Sequence, residues 1–268
     1  MNVGAIAFRV FVGAIFVFIA APLVVVLVAS VSTTAYVVFP PTGFTLRWFF
    51  EVVTLNQYMN AFRFSLITAV VATTLSLLLG TWIALALKHA QFRGRDMLVS
   101  FFMSPIILPE LALAIGLLQY FSMIGMLRGT AAIVLAHSVV CTPYVVRTVY
   151  AAATRLDPAL VDSARSLGAT PARALRDITV PLLKPGLIGG GIMAFVISFD
   201  NVTISLMLAS PGNIALPALL FNQAAEVGLS TTLAAICAML VIFMGVLMFI
   251  VDKAIGLDRF FQSTNGGH

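Results

Sequence analysis

The sequence predicts an all-α membrane protein with six transmembrane helices, and two observations carry this prediction. First, 61% of the 268 residues are hydrophobic, only 9% are charged and the mean hydropathy is +1.08, outside the range of soluble globular proteins. Second, the chain contains six apolar stretches of the roughly 20 residues that a helix needs to cross about 30 Å of hydrocarbon. We expect residues 1–268 to form a single transmembrane domain, without internal repeats or a separate soluble domain.

The six predicted spans lie at about 10–32, 64–87, 97–121, 131–153, 187–209 and 232–251. Arg9 precedes the first span, as a basic residue precedes the core of a signal peptide. That apolar run is longer than an ordinary signal-peptide core, so we interpret it as a retained helix. The third span contains Glu110 and the fifth contains Asp200, and acids at membrane depth require a specific explanation.

Basic residues collect on one side of the predicted spans. That side carries Arg9, Lys88, Arg93, Arg95, Arg155, Arg165, Arg173, Arg176, Lys184, Lys253 and Arg259. The opposite side carries Arg47, Arg63 and Arg128. Lys and Arg are enriched in cytoplasmic loops, which predicts that both termini lie in the cytoplasm. The pI of about 9.6 therefore reflects topology, and we expect membrane lipid but no nucleic acid as a partner.

The two longest external connections are also apolar in part. Residues 33–63 are expected to contain a short helix at the membrane surface, with Trp48, Phe49, Phe50 and Tyr58 in an interfacial aromatic belt. Residues 209–230 have turn signals followed by a second apolar piece. This segment either dips partway into the membrane or covers its outer surface.

Several classes of site are not expected in this chain. Cys141 and Cys237 lie in predicted spans and suit apolar packing better than a disulfide, and no Cys and His residues have metal-ligand spacing. The phosphate-binding pattern GxxxxGK[ST] is missing, so the chain is not expected to hydrolyse ATP. His137, Ser138 and Cys141 share one helical turn but lack an orienting acid, which makes an intramembrane enzyme a weak hypothesis.

The segment from 155 to 185 is unusually polar for this chain, with eight of its 25 charged residues. Asp157-Pro158 and Thr170-Pro171 are both helix-start signals, and Gly168 suits the left-handed position after a helix. Pro181 and Pro185 are expected to end the second helix before the fifth span. Two such short amphipathic helices are not stable alone in water, and their narrow apolar faces suit a groove on a partner protein.

The stretch "DSARSLGATPARALRDITVPLLKPG" resembles the EAA motif of ABC-importer permeases. The matching positions are Asp162-Ser163-Ala164, Gly168, Ile178 and Val180-Pro181, with Asp in place of the usual Glu. The motif also has the expected place, on the cytoplasmic side before the penultimate span. The resemblance extends from about "NQYMNAFRFSLITAV" to "LDRFF" and implies a permease of the type I ABC importer class, located in the bacterial inner membrane.

This resemblance implies that residues 157–181 contain a coupling helix that docks on a separate ATPase. The implied coupling residues are Asp162, Ser163, Ala164, Gly168, Leu175, Ile178 and Pro181. The implied partners are two ATP-binding subunits, an extracytoplasmic solute-binding protein and a second permease subunit, a related chain in preference to a second copy. The permease itself is then non-catalytic, and ATP and Mg²⁺ bind in the partner ATPase.

The acids in the spans suggest the kind of substrate. Asp200, Asn201 and Glu110 are the predicted pathway residues, and carboxylates without a cationic partner at similar depth favour a cationic solute. "SFDNVTISLMLASPGNIALPALLF" resembles the second permease of spermidine/putrescine-type importers, a subfamily that also includes transporters of ferric ion and phosphonates. An ion-coupled secondary transporter or channel that uses Asp200 and Glu110 is the alternative function.

Overall fold

The described residues of the computed structural model, 3–89, 93–126, 129–210 and 212–255, form twelve α-helices and one π-helical turn. The first six helices are α1 (Val3–Ala29), α2 (Arg47–Thr54), α3 (Asn56–His89), α4 (Arg95–Ile107), α5 (Glu110–Met123) and α6 (Thr130–Thr154). The remaining helices are α7 (Pro158–Ser166), α8 (Pro171–Ala174), α9 (Val180–Phe199), α10 (Thr203–Leu208), α11 (Leu216–Val227) and α12 (Thr231–Ile255), with the π-turn at Leu175–Thr179. Residues Arg128 and Arg259, used above for orientation, and both chain ends lie outside the described residues.

Five described helices are long and apolar enough to cross a membrane. They are Ala7–Ala29, Asn56–Lys88, Thr130–Thr154, Pro171–Phe199 and Thr231–Val251. The bent pair α4–α5, taken as one broken span, brings the number to six. The predicted all-α fold with six spans is confirmed. The helices of the second and fifth spans begin at Asn56 and Pro171, well before the predicted positions 64 and 187.

One compact unit combines the chain up to Met59 with the chain from Leu220 onward. In it, α12 packs against α1 and α2. Trp48 and Tyr58 are buried, and the Trp48 indole N–H donates to the Ser32 carbonyl oxygen at 2.7 Å. The predicted short helix is present as α2. Its Trp48 belongs to the unit's interior, however, because the indole N–H finds a backbone acceptor there.

The second compact unit comprises residues 60–219, and its centre is the pair α6 and α9. Gly186 and Gly190 let the two helices approach closely. A methyl group placed on Gly186 would lie 2.7 Å from Ala152 Cβ and 2.9 Å from the Thr148 carbonyl oxygen. Small residues four apart are a frequent means of helix packing in membranes, where van der Waals contact drives association. The spacing Gly186-x-x-x-Gly190 therefore serves helix packing in this structure.

The predicted third span, 97–121, is broken into α4 and α5, which meet at an angle of 105°. Leu108 is extended, as the residue before a proline usually is, and Pro109 has no N–H to continue the helix. The sequence predicted this span as one stretch and did not locate the break, because the hydropathy of an apolar run shows no sign of it. The bend places Glu110 in the first turn of α5.

Pro181 and Pro185 do not end a helix, contrary to the prediction. α8, the π-turn and α9 run on without interruption from Pro171 to Phe199, a rod of about 40 Å. In the π-turn, hydrogen bonds such as that from the Val180 N–H to the Leu175 carbonyl oxygen span five residues. Pro181 therefore falls in the first turn of α9, where a missing N–H is tolerated, and Pro185 lies inside the helix.

Candidate functional site: a polar segment and a pair of helix breaks

The polar segment 157–181 is built by local capping interactions. The Asp157 carboxylate accepts a hydrogen bond from the Ala159 N–H at 2.9 Å, and the Thr170 hydroxyl accepts one from the Arg173 N–H at 3.3 Å. Both are side-chain caps of helices that begin with proline. The two predicted helix starts are therefore present, each with the cap that the sequence indicates.

Gly168 closes α7 with a left-handed turn, at φ +91°. The Gly168 N–H donates to the Arg165 carbonyl oxygen and the Ala169 N–H donates to the Ala164 carbonyl oxygen, both at 3.0 Å. These two bonds define a Schellman motif, which satisfies carbonyl groups at the end of a helix. A side chain at this position meets no steric obstacle, so the conformation itself is what favours glycine.

The predicted coupling residues differ in their exposure to solvent. Asp162, Ser163, Gly168 and Pro181 are exposed, whereas Ala164, Leu175 and Ile178 are half-buried. Leu175 lines a cavity of about 740 Å³ that the segment forms with the end of α3, including Trp82 and Leu85. Its role in coupling stays a prediction.

Leu167 is the most exposed apolar residue of the segment, and it was not among the predicted coupling residues. It is 89% exposed, beside the turn at Gly168. An amphipathic pattern groups Leu167 with Val161, but Val161 faces the cavity. The signal that identifies Leu167 is its position immediately before the left-handed glycine, where the chain leaves the helix.

The two predicted acids mark two breaks in helices, and an asparagine connects those breaks. Asn201 lies between α9 and α10, and Glu110 begins α5 after the α4–α5 bend. The Asn201 side-chain N–H donates to Glu110 Oε1 at 2.5 Å, while its carbonyl oxygen accepts from the Ile204 N–H at 2.9 Å. Asn201 is 8% exposed, so it is fixed at both ends and holds one oxygen of an exposed carboxylate.

Asp200 is adjacent in sequence but differs from Asn201 in environment. It ends α9, and its carboxylate is exposed and takes part in no ion pair among the described residues. The structure therefore brings Glu110 and Asn201 into contact and leaves Asp200 beside them as a second acid. The structure thus places two carboxyl groups at two helix breaks, a type of position where membrane proteins bind solutes.

His137 is a buried polar residue of the same unit that was not predicted to belong to this site. Its Nδ1 lies 2.8 Å from Ser198 Oγ and its Nε2 lies 3.2 Å from Ser205 Oγ. These bonds connect α6 to α9 and to α10, on both sides of the break at Asn201. His137 thus helps to fix the two helices that flank Asp200 and Asn201, and a histidine inside an apolar span was the signal available in the sequence.

The proposed enzyme constellation on α6 is not assembled. Ser138 Oγ donates to the Val134 carbonyl oxygen at 2.8 Å and Cys141 Sγ donates to the Ala194 carbonyl oxygen at 3.2 Å. His137 turns to its two serines instead. The three side chains are thus engaged with separate partners.

The chain is similar in sequence and in fold to known transport proteins. The family model described as "Binding-protein-dependent transport system inner membrane component" matches residues 76–257. The chain is 28% identical to the spermidine/putrescine transport system permease protein PotC of Shigella flexneri over 96% of each chain. It is 29% identical to the putrescine transport system permease protein PotI of Escherichia coli K12, over 88% of this chain and 85% of the relative. A bacterial ABC transporter involved in alginate import has a similar fold, with a TM-score of 0.77 and 17% identity over 94% of this chain and 96% of that chain.

Proposed function

We propose that this chain takes part in the import of cationic polyamines. It belongs to the family of binding-protein-dependent transport system inner membrane components. The chain is a multi-pass permease subunit of an ABC importer of the inner membrane. The observation that carries the substrate proposal is the junction of Glu110 with Asn201, beside Asp200. The resemblance to PotC and PotI supports the same class of solute.

The acids suit an amine because of their charge and their setting. Asn201 takes one Glu110 oxygen as a hydrogen-bond acceptor and leaves the other oxygen available to a ligand. Asp200 offers a second carboxylate that no described cation neutralises. A diamine carries two ammonium groups, each a donor of hydrogen bonds to a carboxylate, so two separated acids match its chemistry.

The coupling proposal rests on the continuity of the chain between its two polar regions. The rod from Pro171 to Phe199 begins in the polar segment and ends at Asp200. A displacement of the segment by a partner is then transmitted along the rod to the helix break that holds Asn201. ATP and Mg²⁺ bind in that partner, an ATPase, and this chain contributes no catalytic step.

The partners and the orientation follow from the same scheme. Two ATPase subunits dock on the segments of two permeases, which are this chain and a related one in preference to a second copy. An external solute-binding protein delivers the polyamine to the opposite side. Both termini lie in the cytoplasm, as the distribution of basic residues predicts.

Uptake of labelled putrescine into vesicles that contain the assembled transporter tests the proposal. Glu110→Gln and Asp200→Asn should each raise the putrescine concentration for half-maximal uptake roughly tenfold or more, since a hydrogen bond to a charged group contributes about 1.5–3 kcal/mol. Glu226→Gln is the matched control, because Glu226 is an exposed acid of the other compact unit. Equal affinity in all three variants would refute the substrate site, and putrescine flux without ATP would refute the coupling scheme.

A further inference from the structure

A third polar region lies between α4 and α6, separate from the two regions described above. The lining of a groove of about 460 Å³ includes two arginines and a tyrosine, Arg95, Arg147 and Tyr150. Its remaining lining is largely aliphatic, with Val99, Met103 and Ile106 along α4. The groove thus combines cations with an apolar channel.

Arg147 is the unusual member of this groove. It lies seven residues before the end of the membrane-spanning helix α6, or about 10 Å along the helix axis. Its side chain is exposed and forms no ion pair with any described residue. Arginine at such a depth normally has an anionic partner or reaches toward the membrane surface, because an unpaired charge is costly there.

Arg95 extends the positive charge toward the membrane surface. Its guanidinium donates to the Tyr150 hydroxyl and, at 3.1 Å, to the Leu87 carbonyl oxygen, which fix it at the start of α4. Tyr150 stands three residues after Arg147 and therefore on the same face of α6. Asp96 also lines the groove, 3.6 Å from Arg95, but its side chain is 97% exposed and directed to solvent.

We propose that this groove binds an anionic phospholipid of the cytoplasmic leaflet. The phosphate lies between Arg95 and Arg147, and an acyl chain follows Val99, Met103 and Ile106. Charge complementarity at one end and aliphatic side chains at the other favour a lipid over a soluble anion. The assignment to the cytoplasmic leaflet rests on the orientation given under the proposed function, whereas the binding itself does not depend on the transported solute.

Lipid retention by the assembled transporter, purified in detergent without substrate, tests this site. Native mass spectrometry with added dioleoylphosphatidylglycerol or dioleoylphosphatidylcholine should show preferential retention of the anionic lipid by the wild type. Arg147→Gln should reduce that retention about fivefold, roughly the contribution of one cation at an anionic lipid surface. Arg147→Lys should keep most of it. Arg63→Gln, which removes an exposed arginine of α3, is the control and should change nothing.

The following results of the lipid measurements overturn the proposal. The first is equal retention of the two lipids by the wild type. The second is undiminished retention of phosphatidylglycerol by Arg147→Gln. If inorganic phosphate is retained by the transporter to the same extent as phosphatidylglycerol, the ligand of the groove is a soluble anion. Loss of the second permease from Arg147→Gln, with unchanged lipid retention, would assign Arg147 to a subunit contact. Failure of putrescine uptake alone would affect only the proposed substrate.

Discussion

Replacing Gly186 by alanine should destabilise the central pair of helices, α6 and α9. The added methyl group would lie 2.9 Å from the Thr148 carbonyl oxygen and 3.1 Å from Val149 Cα, both backbone atoms of α6. Ordinary contacts begin near 3.4 Å, so the helices must separate by several tenths of an ångström. Overpacking of this kind costs about 1–3 kcal/mol of the free energy of unfolding. For a chain of this size that corresponds to a fall of roughly 2–10 °C in Tm.

Gly189→Ala is the matched control on the same helix. A methyl group there has no atom within 4 Å, and alanine is a better helix former than glycine. Thermal unfolding of the two variants in detergent, followed by near-ultraviolet circular dichroism, should therefore give a lower Tm for Gly186→Ala and an unchanged or higher Tm for Gly189→Ala. Equal Tm values for the two variants would refute the packing argument.

Two further predictions concern the polar segment. Gly168→Pro fixes φ near −65° where the chain requires +91°. This variant should still insert into the membrane, but ATP hydrolysis should be uncoupled from uptake. Substrate-stimulated ATPase assays of the assembled transporter check this, and normal stimulation would contradict the prediction. Asp157→Ala removes the cap of α7 and should speed backbone hydrogen exchange of residues 158–166 about fivefold, the effect of losing roughly 1 kcal/mol of helix stability. An unchanged exchange rate would show that partner or lipid contacts, and not the cap, stabilise this helix.

Features set by neighbouring residues could be predicted from the sequence. Asp157-Pro158, Thr170-Pro171 and Gly168 each act within one helical turn, so their residue types determine the caps that the structure contains. The close packing at Gly186 and Gly190 is predictable for a similar reason, since the spacing of small residues is itself the signal of close helix packing.

Breaks and continuations within apolar runs were not predictable in the same way. Pro109 interrupts its span whereas Pro181 and Pro185 do not interrupt theirs, although all three are prolines in apolar surroundings. The difference is the π-turn at Leu175–Thr179, which shifts the hydrogen-bond register so that Pro181 falls in a tolerant position. Composition does not reveal that shift.

The candidate pathway depends on contacts between distant parts of the chain. Glu110 and Asn201 were each named as pathway residues, but they are 91 positions apart and their hydrogen bond is a result of folding. The bonds from His137 to Ser198 and Ser205 span 61 and 68 positions. A single sequence identifies such polar residues as unusual in a span, but it does not pair them.

Co-purification of an ATPase with this chain tests the central claim most directly. Leu167 is 89% exposed on the polar segment, and Met123 is 86% exposed at the end of α5. Leu167→Glu should abolish recovery of the ATPase from solubilised membranes, because under the proposed docking it would place a charge where an apolar side chain enters the partner's groove. Met123→Glu should retain the ATPase. Full recovery with Leu167→Glu would contradict the account of residues 157–181 as the site of coupling.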